Sequence, residues 1–236
     1  MSKRFSCALF VSVAAIFTAA SAGFSTLANA VPAAEPAISC STQTYSYAGV
    51  VSDLPAQGIE AVVTTVAAAD VPSGHVAGWI GVGGPVAGPD GQPEWLQAGV
   101  NTEAGAGSAL YVEIAQSGVP IKYLTVDAAV VPGSSYLLAV AQLPGKPNVW
   151  HVLVNGKPAT GRIYLAGSSS FAPMAMGESW DGGGTPGCNG FDYRFDQLRV
   201  TTGGAWKALT QDSVLTDLGY KVVDRTSAGF TAVSAP

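Results

Sequence analysis

The chain has 236 residues, 48% of them hydrophobic and only 11% charged, with 29 glycines and 15 prolines. Sixteen acidic side chains stand against 11 basic ones, which leaves few of the cationic contacts that nucleic-acid phosphates require. So apolar a composition is that of a folded chain and not a disordered one, and beyond residue 30 no apolar run reaches the roughly 20 residues of a membrane helix.

The first thirty residues read as a leader. Met1–Arg4 is basic, Phe5–Ala20 is apolar, and Ala20-Ser21-Ala22 and Ala28-Asn29-Ala30 both fit the small-x-small cleavage rule. Cleavage after Ala30 is favoured because Val31–Pro36 makes an ordinary soluble start. Residues 1–30 are therefore expected to be a signal peptide, 31–44 an N-terminal segment and 45–236 a single domain. Without Lys3 and Arg4, nine basic side chains face 16 acidic ones, a net charge of −7. Export implies a secreted or periplasmic protein with no membrane contact once the leader is gone. Cys7 leaves with it, and in an oxidising compartment Cys40 and Cys188 are expected to form a disulfide. Two cysteines with His75 and His151 show no metal-ligand spacing, so no metal is expected.

Past residue 44, short β-rich segments alternate with Gly/Pro turns, the pattern of a sandwich or barrel. The expected strands are Ala48–Val51, Ile59–Val66, Val76–Val82, Trp95–Val100, Ala109–Ala115, Ile121–Val126, Tyr136–Leu143, Val149–Val154, Gly161–Leu165, Phe171–Gly177 and Phe191–Val200. Asn155-Gly156 signals a tight hairpin after Val149–Val154. Ser213–Leu218 alone has a mildly helical look, and the tail Thr201–Pro236 carries no functional signal.

Alternation assigns faces. Leu96, Ala98 and Val100 oppose Trp95, Gln97 and Gly99; Ile80 and Val82 oppose Trp79; Leu110, Val112 and Ile114 oppose Tyr111 and Glu113. Three strands thus share an aliphatic face fit for a core and an aromatic, polar face. The second face fits a groove for an extended polymer, sugar or peptide.

Most catalytic signatures are absent: there is no HExxH, GxSxG or phosphate-binding loop. His75, in Gly74-His75-Val76, reads as an incidental loop residue. A retaining glycosidase needs two close carboxylates, for which Glu94 and Glu113 are candidates that no spacing singles out.

The order of three blocks is more telling. Tyr45-Ser46-Tyr47-Ala48-Gly49-Val50 opens the domain. An extended segment then ends in Val71-Pro72 and leads to Val76-Ala77-Gly78-Trp79-Ile80-Gly81-Val82-Gly83-Gly84. Trp95-Leu96-Gln97-Ala98-Gly99-Val100 follows. This order resembles the glutamic peptidases (eqolisins), with their AWVGIDG-like and ILQTGV-like strands. Tyr111-Val112-Glu113 stands for that family's YEWYP segment, and Met174-Ala175-Met176-Gly177-Glu178-Ser179 for the strand that carries its catalytic Glu. Gly83 stands where the family has Asp, and Tyr47 where it has Trp. The resemblance implies a concanavalin A-like, two-sheet antiparallel sandwich, all-β, and an acid endopeptidase that needs no cofactor. It implies a dyad of Gln97 and Glu178, with Trp79, Trp95, Tyr111, Glu113 and Tyr47 around the substrate. A monomer acting on a polypeptide is then expected. The alternative is a non-catalytic, lectin-like module whose Trp79, Trp95 and Tyr111 stack on sugar rings.

Overall fold

A computed structural model describes residues 44–167, 171–183 and 189–235 of the chain. The leader, Cys40 and Cys188 lie outside the described residues, all of which fall within one compact unit.

Strands dominate, as the β-branched and aromatic segments between glycine turns dictate. In chain order they are β1 (Tyr45–Ser52), β2 (Gly58–Thr65), β3 (His75–Gly84), β4 (Glu94–Glu103), β5 (Ser108–Gln116), β6 (Val119–Val130), β7 (Ser135–Gln142) and β8 (Val149–Val154). The short β9 (Lys157–Pro158) and β10 (Ile163–Tyr164) precede β11 (Pro173–Trp180) and β12 (Asp192–Thr202). The tail adds β13 (Ala205–Ala208), β14 (Asp212–Thr216), β15 (Tyr220–Thr226) and β16 (Gly229–Ser234). Asn155 and Gly156, with φ of 51° and 74°, form the two-residue turn between β8 and β9, the left-handed pair that a type I′ hairpin needs.

Among the described residues these strands form two antiparallel sheets. The first runs β14-β1-β11-β3-β4-β5-β6; the second runs β10-β8-β7-β2-β12-β16-β15, with β9 beside β8 and β13 beside β12. The fold is an all-β sandwich. Its core is the aliphatic face read from the sequence: Ile80, Val82, Leu96, Ala98, Val100, Leu110, Val112 and Ile114 meet Ile59, Val63, Leu138, Val140, Trp150 and Phe195 of the second sheet. Burying each such side chain contributes about 1.5–3 kcal/mol before entropy is counted, so this interface is what fixes the first sheet's other face toward solvent.

Two expectations are corrected. Ser213–Leu218 is not helical: Asp212–Thr216 is an edge strand paired with β1, Leu215 opposite Gly49. Within Gly161–Leu165 only Ile163–Tyr164 pairs, against Trp150 and Val149.

Glu94 starts β4 on the core face, 1% exposed, and its carboxylate oxygens each accept a backbone N–H, from Ala166 and from Gly167, at 2.6 Å. It pins the β10–β11 connection to the sheet. Glu94→Ala removes both of these charge-assisted bonds and is expected to cost about 1.5–3 kcal/mol, read as a lowered Tm; an unchanged Tm would refute the clamp.

Candidate active site

The outward face of the first sheet can be laid out from the register. Along β11, Met174, Met176, Glu178 and Trp180 alternate outward, opposite Gly81, Trp79, Ala77 and His75 on β3. On β4 their counterparts are Gln97, Gly99, Asn101 and Glu103. Glu113 lies opposite Gln97, and Tyr111 opposite Gly99, on β5. Tyr47 on β1 faces Glu178. Small residues (Gly49, Ala77, Gly81, Gly99) interrupt this field of large ones, and a cleft of about 560 Å³ opens on this face. Gln97, Glu178, Glu113, Trp79, Trp95, Tyr45, Tyr47 and His75 line it, with Val51, Met174, Met176 and Leu215 supplying an apolar wall.

Glu178 is 7% exposed, and both its oxygens are engaged. Trp79 Nε1 donates to Oε2 at 2.9 Å, and His75 Nε2 lies 3.2 Å from Oε1. Gln97 is held equally firmly: its Nε2 donates to Tyr111 Oη at 3.1 Å and to Glu113 Oε2 at 3.2 Å. Trp95 Nε1 donates to the other Glu113 oxygen at 3.1 Å.

In register, Gln97 and Glu178 stand two strands and four residues apart, about 10 Å across and about 13 Å along a flat sheet. Each has one hydrogen-bond partner in the row between them. Glu178 bonds to Trp79 and Gln97 to Tyr111, and both of those residues belong to the Met176-Trp79-Gly99-Tyr111 row. Gly99 carries no side chain in that row because the space is taken: a Cβ there would lie 2.5 Å from Trp79 Cβ.

Electrostatically the cleft is acidic. Burial raises the Glu113 carboxyl above the ordinary carboxylate range and Glu178 raises it further, against the lowering pull of the Trp95 and Gln97 N–H donors and of His75. Burial, then Glu178, pushes the Tyr47 and Tyr111 phenols upward, so both stay neutral in the working range. Glu113 makes a pH-dependent difference to stability. Because its carboxyl is raised in the folded state, its contribution is fully present in acid and is lost as pH rises through the folded value. Glu113→Gln removes that loss, so the variant's Tm relative to the parent is expected to rise between pH 3 and pH 7. A pH-independent difference would contradict a buried, titrating Glu113.

No family model matches the sequence, and neither does any curated protein. Solved structures do. Scytalido-glutamic peptidase with a transition-state analog inhibitor superposes with a TM-score of 0.59 at 12% identity, covering 82% of this chain and 99% of the other. The same peptidase with a peptide-based transition-state analog gives 0.57 at 13% identity, with the same coverage. SCP-B, an eqolisin in complex with the tripeptide Ala-Ile-His, gives 0.54 at 12% identity and again the same coverage. The fold is that of the glutamic peptidases.

Within this glutamic-peptidase fold, the residues singled out in the sequence do not all sit alike. Gln97, Glu178, Trp95, Glu113 and Tyr47 reach the cleft surface. Trp79 borders it but is 6% exposed, and Tyr111 lies beneath Gln97, 2% exposed and stacked on Tyr123 at 4.9 Å. Tyr111 therefore offers no free ring face to a sugar. Glu94 and Glu113 occupy opposite faces of the first sheet and make no glycosidase pair. Gly83 has φ of 90°, and a Cβ would sit 2.2 Å from the Glu94 carbonyl oxygen, so an Asp at this position does not fit this backbone. Sequence reasoning missed Val51, Leu215 and His75. The signal for His75 was available: counting back by twos from Trp79 through Ala77 puts it on the same face. Among the described residues no group of three or more His, Cys, Asp or Glu is arranged to hold a metal ion.

Proposed function

We propose that the protein is an exported glutamic-type endopeptidase whose Glu178 and Gln97 act on a peptide bond lying over the Trp79–Gly99–Tyr111 row. The observation that supports this reading is that both side chains line a single cleft, from strands two apart, in a chain whose fold resembles that of a glutamic peptidase.

The chemistry follows from the groups present. A water in the cleft beside Glu178 gives a proton to a free lone pair of its carboxylate as the water oxygen attacks the scissile carbonyl. The carbonyl oxygen gains the charge, and a Gln97 Nε2 hydrogen stabilises it. At rest both Nε2 hydrogens are engaged, by Tyr111 and by Glu113; the turn away from Tyr111 costs one neutral hydrogen bond, while the bond to the Glu113 carboxyl oxygen keeps the amide in place. Glu178 then returns its proton to the amine nitrogen as the C–N bond breaks. Val51, Met174, Met176 and Leu215 favour an apolar side chain on the substrate.

The test is the purified protein on a denatured protein substrate from pH 2 to pH 7, with Glu178→Gln alongside and glycan binding measured in parallel. Cleavage that Glu178→Gln abolishes supports the reading. Glycan binding without proteolysis replaces it with the lectin-like one.

A further inference from the structure

His75 belongs to no motif and to neither member of the dyad, yet its Nε2 lies 3.2 Å from Glu178 Oε1. Its plane is fixed: the ring packs on Trp180 at 5.3 Å and meets Tyr45 edge-on at 6.4 Å. Register explains why, since the first residue of β3 is paired with Trp180 on β11, on the row next to the one that carries Glu178. The groups around the pair are acidic or neutral. Tyr45 and Tyr47 face it from β1, with Asp217 behind, accepting the Tyr47 backbone N–H at 2.8 Å. Glu103 is the β4 register partner of His75, and Glu113 and Tyr111 act on Glu178 from β5. Among the described residues lining the cleft there is no lysine or arginine, so His75 is the side chain there able to carry positive charge.

We propose that His75 is a positioning residue for Glu178: as an imidazolium it donates to Oε1 while Trp79 holds Oε2, keeping the carboxylate anionic and aimed at the water in acid. This rests on the reading of Glu178 as the general base. The physical need is clear from the surroundings. No other side chain lining the cleft offers Glu178 a compensating charge: Glu113 is itself acidic, the phenols are neutral and so is Gln97. An opposite charge within about 4 Å is what favours the ionised form of a carboxyl group. Histidine is the side chain whose charge mild acid switches, and it is as the cation that this ring donates to Oε1.

The chain has two histidines, which makes the pair directly observable. His151, on β8 of the second sheet, is lowered by burial alone and serves as the internal reference. Ring resonances of both are followed by NMR against pH in the parent protein and in Glu178→Gln. The His75 midpoint is expected to move to lower pH in the variant while that of His151 stays. In the second arm His75→Gln keeps a neutral donor and loses the charge. The acid limb of kcat/KM is expected to move up by about 0.5–1 pH unit, a roughly 3–10-fold loss on that limb that shrinks toward the optimum. A histidine that only packs would lower activity evenly across pH and leave the limb in place. An unmoved His75 midpoint, or an unmoved limb in an active His75→Gln protein, overturns the proposal. Loss of the peptidase reading looks different: Glu178→Gln keeps full activity or the parent cleaves nothing, and the NMR arm still decides whether the pair exists.

Discussion

Glu178→Gln is expected to lower peptide-bond hydrolysis by at least about 10³-fold while leaving the fold intact. The size follows from what the carboxylate does, since a positioned general base contributes about 10²–10⁴-fold and the glutamine amide has no comparable basicity. Preservation of the fold follows from the contacts. A glutamine oxygen can still accept the Trp79 Nε1 hydrogen that Oε2 accepts at 2.9 Å, and its NH₂ can donate to the Nε2 of a neutral His75 in place of the bond at Oε1. The residue is 7% exposed, so shape is what must be kept, and the amide keeps it. The measurements are kcat/KM on a denatured protein and the near-UV circular dichroism of the same preparation. Unchanged dichroism with lost activity is the expected pair; retained activity would falsify the role given to Glu178. A loss of both signals together would instead show a carboxylate needed for folding, and Glu178→Asp, which keeps the charge on a shorter stem, separates the two cases.

Much of this site was legible because strand alternation has a strict period of two. Leu96, Ala98 and Val100 could not be buried without turning Trp95 and Gln97 to the other side, and a slip by one residue would have exposed the whole aliphatic set. The same parity places Tyr111 and Glu113 beside them. What parity cannot supply is depth. Tyr111 and Trp79 share the outward face with Gln97 yet are covered, by Tyr123 and by the neighbouring rows, and that covering depends on strands brought alongside from elsewhere in the chain. β14 was misread for a related reason. Its residues are half-buried or exposed, with no periodic burial to read, and its strand character comes from pairing with β1 far away in sequence. Docking it there is what brings Leu215 into the cleft wall, so a functional contribution of the tail became visible only with the sheet assembled. His75 next to Gly74 looked like loop because turn residues flank it; β3 begins at that very residue.

The second large effect lies directly behind the site, at Gly78. Gly78 on β3 and Gly177 on β11 are register partners and face the second sheet. A Cβ on Gly78 would lie 2.4 Å from Tyr193 Cγ, and one on Gly177 would lie 2.5 Å from Phe191 Cε2. Tyr193 and Phe191 are 2% and 4% exposed and stack on each other at 5.5 Å; Phe191 also stacks on Tyr220 at 5.1 Å. Glycine in a strand ordinarily weakens it, but here the missing side chains are the sockets into which this aromatic group from the second sheet docks. Gly78→Val places three carbons where ring atoms already stand, and neither the β3 backbone, paired on both sides, nor the stacked rings can retreat. Overpacking of this kind costs about 3 kcal/mol or more, which for a domain of this size lowers Tm by about 10 °C. Gly107, whose Cβ would meet nothing within 4 Å, is the matched control, and Gly107→Ala is expected to stay within about 0.5 kcal/mol. Equal Tm values for the two variants would mean that the sheets do not meet at Tyr193. Because Ala77 and Trp79 flank Gly78 and point the opposite way, a forced shift of β3 at this point also displaces the indole that holds Glu178. Gly78→Ala, with only one added carbon, is therefore expected to lose activity in greater proportion than it loses stability.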